Sequence, residues 1–149
     1  MFRSLLVPLD GSHFSEQSIP TAAAIAGECG AALYLVHVHV PYVPHDLTLA
    51  PEFEPAGIEL GPGDEQHRTQ EREYLERLGQ GVSGVVEGGV TTRLLDGPVC
   101  DALENFADKA DADLIVIASH GRSGLERAVF GSVAERVLRT SDQTVMVTK

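Results

Sequence analysis

Short apolar runs alternate with amphipathic stretches along the chain, and this alternation is the pattern of an α/β protein. Five runs have strand character: residues 2–9, 32–40, 90–95, 114–118 and 143–148. The first and fourth runs are apolar almost throughout, which is typical of strands covered on both faces of a parallel sheet. The strands and the helices between them therefore predict a β-α-β-α-β-α-β-α-β order and a parallel sheet.

Apolar residues recur at helical spacing between these strands. The predicted helices begin after Ser12 or Ser15, span residues 64–78, follow Gly97 and Pro98, and begin at Gly131 and Ser132. The first of them ends at Gly30, and glycine commonly follows the C-terminus of a helix. Pro20 lies inside this helix and predicts either a late start or a kink.

Residues 41–63 have a different composition, since five prolines are interspersed with acidic and apolar residues. A connection of this length is unusual between elements of a compact domain. Three interpretations stay open for this segment, namely a disordered insert, a lid over a site, and a dimer contact.

Length and composition favour a single globular domain spanning residues 1–149. Hydrophobic residues make up 43% and charged residues 22% of the chain, which disfavours both a disordered chain and a membrane protein. The apolar run at the N-terminus is too short for a signal peptide or a membrane span, so we expect the cytoplasm. Cys29 and Cys100 have no CxxC or metal-ligand spacing and are interpreted as small buried side chains.

The net charge of −11 excludes some classes of partner. Such a surface repels nucleic acid and anionic membranes, so neither is expected as a partner. It also repels a polyanionic ligand, but salt screens that field beyond about 8 Å. Local hydrogen-bond donors and a divalent cation can then outweigh the charge of the whole chain.

Residues 114–133 have the order of parts that an anion site needs: a strand, a glycine turn, a linker, a Gly-Ser pair and a helix. Glycine lets phosphate oxygens approach the backbone and permits positive φ, so that N–H groups can converge. The first N–H groups of the helix after Gly131 lie at the positive end of its dipole, and Ser132 adds a hydroxyl. From these residues alone, phosphate binding and a simple strand-to-helix connection both stay open, because the P-loop and G-x-G-x-x-G patterns are absent.

Polar side chains also lie on or directly after the first two strands. Asp10 follows the first strand, at the edge where ligands bind open α/β sheets. Its carboxylate could bind adenine, ribose or Mg²⁺, or could only cap the next helix, and its position does not decide between them. His37 and His39 share one face of the second strand, as metal ligands do, but the sequence offers no third ligand. The alternative is that both histidines border helices or water.

The glycine-containing segment resembles the signature of the universal stress protein family, in its nucleotide-binding branch. That signature is Gly, two residues, Gly, nine residues, Gly and then Ser or Thr. In this chain it falls on Ala118, Gly121, Gly131 and Ser132, with residues 122–130 as the nine. Alanine replaces the first glycine and adds one methyl group. The resemblance extends over nearly the whole chain, from the opening LLVPLDGS to the closing strand.

The resemblance implies an α/β fold with a single-domain, open, parallel five-stranded sheet of order 3-2-1-4-5 and helices on both faces. This fold is Rossmann-like and similar to the adenine nucleotide alpha hydrolases. The implied ligand is ATP with Mg²⁺, and Asp10 is the candidate to hold the ion. The residues implied on the adenosine side are Pro8, Leu9, Asp10 and Val38. Those implied around the ribose and phosphates are Ala118, Gly121, Arg122, Gly131, Ser132 and Val133. A homodimer would pair the last strands at Val145, Met146 and Val147.

Three functions are compatible with these expectations. The first is a cytoplasmic ATP-binding module of the stress response, in which the nucleotide stabilises one conformation or dimer state that a partner recognises. The second is a dimeric interaction protein of the same family that binds no nucleotide. The third is a slow ATPase, which is less favoured because Asp10 is the only candidate to position water. No catalytic residue is assigned.

Overall fold

The computed structural model describes residues 1–41, 62–119 and 131–149 of the chain. Its strands are β1 (Ser4–Leu9), β2 (Ala32–Val38), β3 (Val90–Leu95), β4 (Leu114–Ala118) and β5 (Thr144–Thr148). Its helices are α1 (His13–Glu16), α2 (Ser18–Cys29), α3 (Pro62–Val82), α4 (Val99–Lys109) and α5 (Ser132–Thr140). The strands form a parallel sheet of order β3-β2-β1-β4-β5, which confirms the predicted fold class and the strand order that the resemblance implied.

Helices cover both faces of the sheet because successive side chains of a strand point to opposite sides. On one face, Leu5 and Val7 of β1 pack with apolar residues of α2 and α3. On the other face, Leu6 of β1 and Val36 of β2 pack with α4 and α5. All six residues of β1 are buried, which explains why this stretch of sequence shows no alternation of apolar and polar residues.

Three predicted strands are longer than the strands of the structure. β1 begins at Ser4 rather than at residue 2, and β2 ends at Val38 rather than at residue 40. β5 begins at Thr144 rather than at residue 143. The limits are set by the neighbouring strands, since Ser4 is opposite Ala32 at the start of β2 and Val38 is opposite Leu95 at the end of β3. The predicted strand residues beyond these pairs, 2–3 and 39–40, have no partner in the regular ladder and are not part of the sheet.

The helix predicted between Ser12 and Gly30 is divided into α1 and α2 at Gln17. Ser12 is the N-cap of α1, and its side chain accepts a hydrogen bond from the backbone N–H of Ser15. Pro20 is the third residue of α2, in the first turn, where a helix tolerates the missing N–H. Gly30 ends α2 in the left-handed region at φ 63°, as predicted.

The helix predicted over residues 64–78 is longer at both ends, because α3 spans Pro62–Val82. The prediction stopped before Gly79, a residue type that weakens helices. In the structure this glycine lies against β3, and a Cβ atom there would be 2.9 Å from the Thr92 Cγ2 atom. Close packing against the sheet therefore accounts for the glycine. Within the described residues, no helix has both the length and the apolar character that a membrane span requires.

Candidate functional site

A cavity of about 310 Å³ lies at the carboxyl ends of the central strands. It is located where the strand order reverses, between β1 and β4, which is the usual ligand position in open α/β sheets. The cavity is lined by Pro8, Leu9, Asp10, Ser15, His37, Val38, Val40, Val99, Leu103, Ile117, Ala118, Gly131, Ser132, Val133 and Ala134. Most of these side chains are apolar. The polar ones come from the loop after β1, from α1, from β2, and from the start of α5.

The loop after β1 is held by a small hydrogen-bond network around Asp10. Its Oδ1 atom accepts hydrogen bonds from the backbone N–H and the hydroxyl of Ser12, at 2.9 and 2.5 Å. Ser12, rather than Asp10, caps α1, so the carboxylate supports the cap indirectly. Gly11 has φ 80°, which favours glycine and turns the chain from strand into helix. Asp10 is thereby fixed at the mouth of the cavity.

The amino end of α5 forms the opposite side of the cavity. Gly131 precedes the helix, and its N–H donates a hydrogen bond to the carbonyl oxygen of Ser119, just beyond β4, at 2.7 Å. The first backbone hydrogen bond of α5 runs from the N–H of Glu135 to the carbonyl oxygen of Gly131. The N–H groups of Ser132 and Val133 therefore have no partner inside the helix. These groups and the positive end of the helix dipole favour an anion.

Gly131 has φ −69° and ψ 154°, an extended conformation that any residue can adopt. The expectation that a glycine of this motif provides positive φ therefore does not apply at Gly131. What glycine supplies here is the absence of a side chain beside the first turn of α5. Ala118, at the position of the first motif glycine, is the last residue of β4, and its methyl group lies at the cavity.

Eight of the ten residues predicted for the nucleotide site line this one cavity: Pro8, Leu9, Asp10, Val38, Ala118, Gly131, Ser132 and Val133. The other two, Gly121 and Arg122, lie outside the described residues, as do residues 42–61 of the proline-rich segment. Their contacts with a ligand stay predictions. The structure thus gives the eight a common location without testing what they bind.

His37 and the first turns of α4 line the cavity although the sequence did not indicate them. The Nδ1 atom of His37 is 2.7 Å from the carbonyl oxygen of Leu9, and it must carry the hydrogen because a carbonyl only accepts. The strand register pairs the same two residues, so knowledge of the strand order would have indicated this contact. Val99 and Leu103 contribute apolar surface from α4, which no local pattern assigns to a ligand site.

His37 in β2 and His39, which follows the end of this strand, face α3 rather than water. His37 is 5% and His39 is 2% exposed. The His37 Nε2 atom lies 3.1 Å from Glu71 Oε1, and His39 Nδ1 lies 2.6 Å from Glu71 Oε2. On its other side, His39 Nε2 lies 3.0 Å from Asp64 Oδ1. The histidines therefore border a helix, as one of the two interpretations expected, and are bonded to its carboxylates.

Tyr74, on the same helix, lies between this group and the loop after β1. Its hydroxyl donates a hydrogen bond to Glu16 Oε1 at 3.0 Å. Burial, together with the negative charges of Glu16 and Asp10, raises the pKa of Tyr74. The phenol therefore stays protonated and donates its hydrogen bond to α1.

The sequence pattern of the universal stress protein family matches residues 1–149. The chain belongs to this family. Universal stress protein MJ0531 from Methanocaldococcus jannaschii is a similar relative, 30% identical over 151 residues that cover 100% of this chain and 83% of that protein.

Solved universal stress proteins have the same fold. The UspA protein from Lactobacillus plantarum is 22% identical, with a TM-score of 0.81 and coverage of 99% of this chain and 97% of that one. A family member solved in complex with cAMP is 22% identical, with a TM-score of 0.71 over 99% and 96% of the two chains. The Archaeoglobus fulgidus protein in complex with dAMP is 23% identical, with a TM-score of 0.65 over 99% of this chain and 98% of that one. Some structural neighbours of this chain therefore bind adenine nucleotides.

Proposed function

We propose that this universal stress protein is a cytoplasmic regulatory module that binds ATP with Mg²⁺ and acts as a homodimer. The observation that supports it best is the cavity at the reversal of strand order, which is lined by eight residues of the expected nucleotide site. An apolar wall beside a helix amino terminus suits a ligand with a flat ring at one end and anionic groups at the other. The cAMP and dAMP complexes of structural neighbours support the adenine nucleotide class.

The two sides of the cavity suit the two ends of the nucleotide. In the proposal, Pro8, Leu9 and Val38 contact the adenosine, and Val38 does so through its backbone. Ala118, Gly131, Ser132 and Val133 surround the ribose and phosphates. Asp10 contacts the ribose or holds Mg²⁺, since carboxylate oxygens are ligands that this ion prefers. Gly121 and Arg122 complete the phosphate side in the proposal.

The charge of the chain makes a divalent cation useful at this site. The net charge is −11, and Asp10 lines the cavity itself. Mg²⁺ would reduce the repulsion between this carboxylate and the phosphates, because it is the largest local charge wherever it binds. The N–H groups at the start of α5 act at hydrogen-bond distance, where salt does not screen them.

The last strand is the proposed dimer contact. β5 is at the edge of the sheet and pairs with β4 alone among the described strands. Val145 and Val147 pack toward the core, whereas Met146 is 36% exposed. An edge strand with an exposed apolar side chain can pair with a second copy of itself. Val145, Met146 and Val147 are therefore proposed to pair with the same strand of a partner chain.

The experiment that tests the nucleotide site begins with freshly purified protein that is denatured to release any ligand. Chromatography and mass spectrometry of the supernatant should identify ATP at about one molecule per chain, as one preformed pocket of this size would hold. ADP beside ATP would favour the slow ATPase. If no nucleotide is released and Mg-ATP causes no thermal shift, the chain is a dimeric interaction protein that binds no nucleotide.

A pair of variants tests the placement of the phosphates. Gly131→Val should abolish Mg-ATP binding in calorimetry, because the new side chain occupies the space beside the first N–H groups of α5. The fold should persist, since valine readily adopts the backbone conformation of Gly131. Gly84→Val is the control, because no atom of the described residues lies within 4 Å of a Cβ atom at Gly84. Unchanged affinity in Gly131→Val would contradict the proposed site.

A further inference from the structure

We infer that His39, His67 and Glu71 form a binding site for Zn²⁺, between the end of β2 and one face of α3. Each residue offers one ligand atom, and the three atoms lie within 4.8 Å of one another. Two imidazole nitrogens and one carboxylate oxygen are a common ligand set of zinc. The site is separate from the nucleotide cavity, and its assignment does not depend on the nucleotide proposal.

The fold brings these ligands together for simple geometric reasons. His37 in β2 and His39 just after it are two residues apart in extended chain, and both contact Glu71 of α3. His67 and Glu71 are four residues apart on α3 and therefore lie on the same side of the helix. Asp64 is one turn before His67 on that side. The third ligand that the sequence could not supply thus comes from the helix that packs on the strand.

The contacts of His39 orient its ring for metal binding. Its Nε2 atom is 3.0 Å from Asp64 Oδ1, which leaves Nδ1 directed at Glu71. A histidine that binds metal through one nitrogen commonly donates the hydrogen on the other nitrogen to a carboxylate. Asp64 therefore has the position of the residue that fixes the tautomer and the ring orientation of His39.

The close contact between His39 and Glu71 suits a bound cation. The His39 Nδ1 and Glu71 Oε2 atoms are 2.6 Å apart, and both would be acceptors if His39 donates from Nε2 alone. The two side chains are 1% and 9% exposed, so water does not separate them. Zn²⁺ can bind both atoms if they move to about 3.3 Å apart around a tetrahedral ion.

His67 supplies a third ligand and a route for the ion. Its Nε2 atom lies 3.7 Å from Glu71 Oε1, too far for a hydrogen bond but suitable for two ligands of one ion. Within the described part of the chain, its Nδ1 atom is buried and has no hydrogen-bond partner. The ring is 39% exposed, so an ion can enter from this side, and water can occupy a fourth coordination position.

The donor set also separates this site from a Mg²⁺ or Ca²⁺ site. Those ions prefer six or more oxygen ligands, whereas two of the three donors here are imidazole nitrogens. Zn²⁺ accepts this mixed set and needs only four ligands in all. The Mg²⁺ proposed to accompany ATP would therefore bind in the cavity and not here.

The test titrates zinc chloride into nucleotide-free protein that has been treated with a chelator and dialysed. Calorimetry should show about one ion bound per chain, as a three-ligand site would hold. His67→Gln should weaken the affinity at least about 10-fold, because even losing a residue behind the ligands has that effect. His13→Gln is the control, since His13 is an exposed histidine on α1 and is not one of the three proposed ligands.

Three results would overturn the site: no zinc bound by the wild-type chain, unchanged affinity in His67→Gln, or an equal loss in His67→Gln and His13→Gln. Circular dichroism of His67→Gln verifies its fold, which a half-exposed position should preserve. As a measurement that needs no variant, Co²⁺ added to the wild-type chain should give the intense visible absorption of a four-coordinate ion. The weak spectrum of hydrated Co²⁺ alone would also overturn the site.

Discussion

Glu71 joins β2 to α3 through two buried hydrogen bonds, so its removal should destabilise the fold. The carboxylate is 9% exposed and lies 3.1 Å from His37 Nε2 and 2.6 Å from His39 Nδ1. Glu71→Ala leaves both histidines buried with a missing partner. Glu71→Gln keeps the shape of the side chain but removes its charge and turns one acceptor into a donor.

The expected magnitude follows from these contacts. Hydrogen bonds to charged groups contribute about 1.5–3 kcal/mol each, and breaking a buried ion pair from one side costs about 3–5 kcal/mol. We therefore expect Glu71→Ala to lower the free energy of unfolding by about 3–5 kcal/mol and Glu71→Gln by about 1.5–3 kcal/mol. For a chain of this size, the larger loss corresponds to a fall in Tm of about 6–20 °C.

Urea denaturation of chelator-treated protein, followed by circular dichroism, measures these losses without a contribution from bound metal. Glu73→Gln is the matched control, because Glu73 is an exposed carboxylate two residues away on the same helix. Its free energy of unfolding should change by no more than about 0.5 kcal/mol. If Glu71→Ala lowers the free energy of unfolding by less than about 1 kcal/mol, the hydrogen bonds of Glu71 with His37 and His39 do not stabilise the fold as buried charged pairs do.

Three further predictions concern backbone packing, acid stability and assembly. Gly27→Ala should destabilise the chain by about 1–3 kcal/mol in urea denaturation, because its Cβ would lie 2.5 Å from the Val85 carbonyl oxygen. Gly81→Ala, with open space around it, should stabilise α3 by up to about 1 kcal/mol, and equal effects would contradict the packing argument. Hydrogen bonds from two backbone N–H groups at the start of β1 lower the pKa of Asp113 from 3.8. The carboxylate of Asp113 should therefore contribute to the free energy of unfolding above pH 3.8, and this contribution should be lost as the pH falls through the folded-state pKa. In acid titrations, the stabilities of Asp113→Asn and the wild type should converge at low pH. A difference that stays constant with pH would contradict the linkage. Met146→Lys should convert the proposed dimer to monomer in light scattering, and a persistent dimer would exclude β5 as the interface.

The central strands β1 and β4 could be predicted from sequence because they are nearly continuous apolar runs. Residues 114–118 were predicted with the limits that the structure gives to β4, since every residue in the run is buried. The order of the strands came from the family resemblance, because periodicity identifies strands and not their neighbours. The limits of β2 were wrong by two residues, since they depend on where β1 and β3 end.

The buried cluster on α3 was beyond prediction for a different reason. The sequence placed His37 and His39 on one face, but their carboxylate partner is Glu71, which is 34 and 32 residues away. Polar residues dominate α3, so the sequence of the helix does not single out Glu71 as buried. Only packing of the helix on β2 shows that Glu71 faces inward. Buried polar contacts between distant segments leave no periodic signal that would identify both partners.

His37 links the buried cluster to the cavity, and this affects how variants of either should be interpreted. Its Nδ1 atom holds the Leu9 carbonyl in the cavity wall, while its Nε2 atom is held by Glu71. A change at Glu71 therefore frees the imidazole that positions the end of β1. If Glu71→Gln weakens nucleotide binding, the loss passes through His37 and does not show that Glu71 contacts the ligand. Gly131→Val, on the opposite side of the cavity and outside this chain of hydrogen bonds, tests the nucleotide site directly.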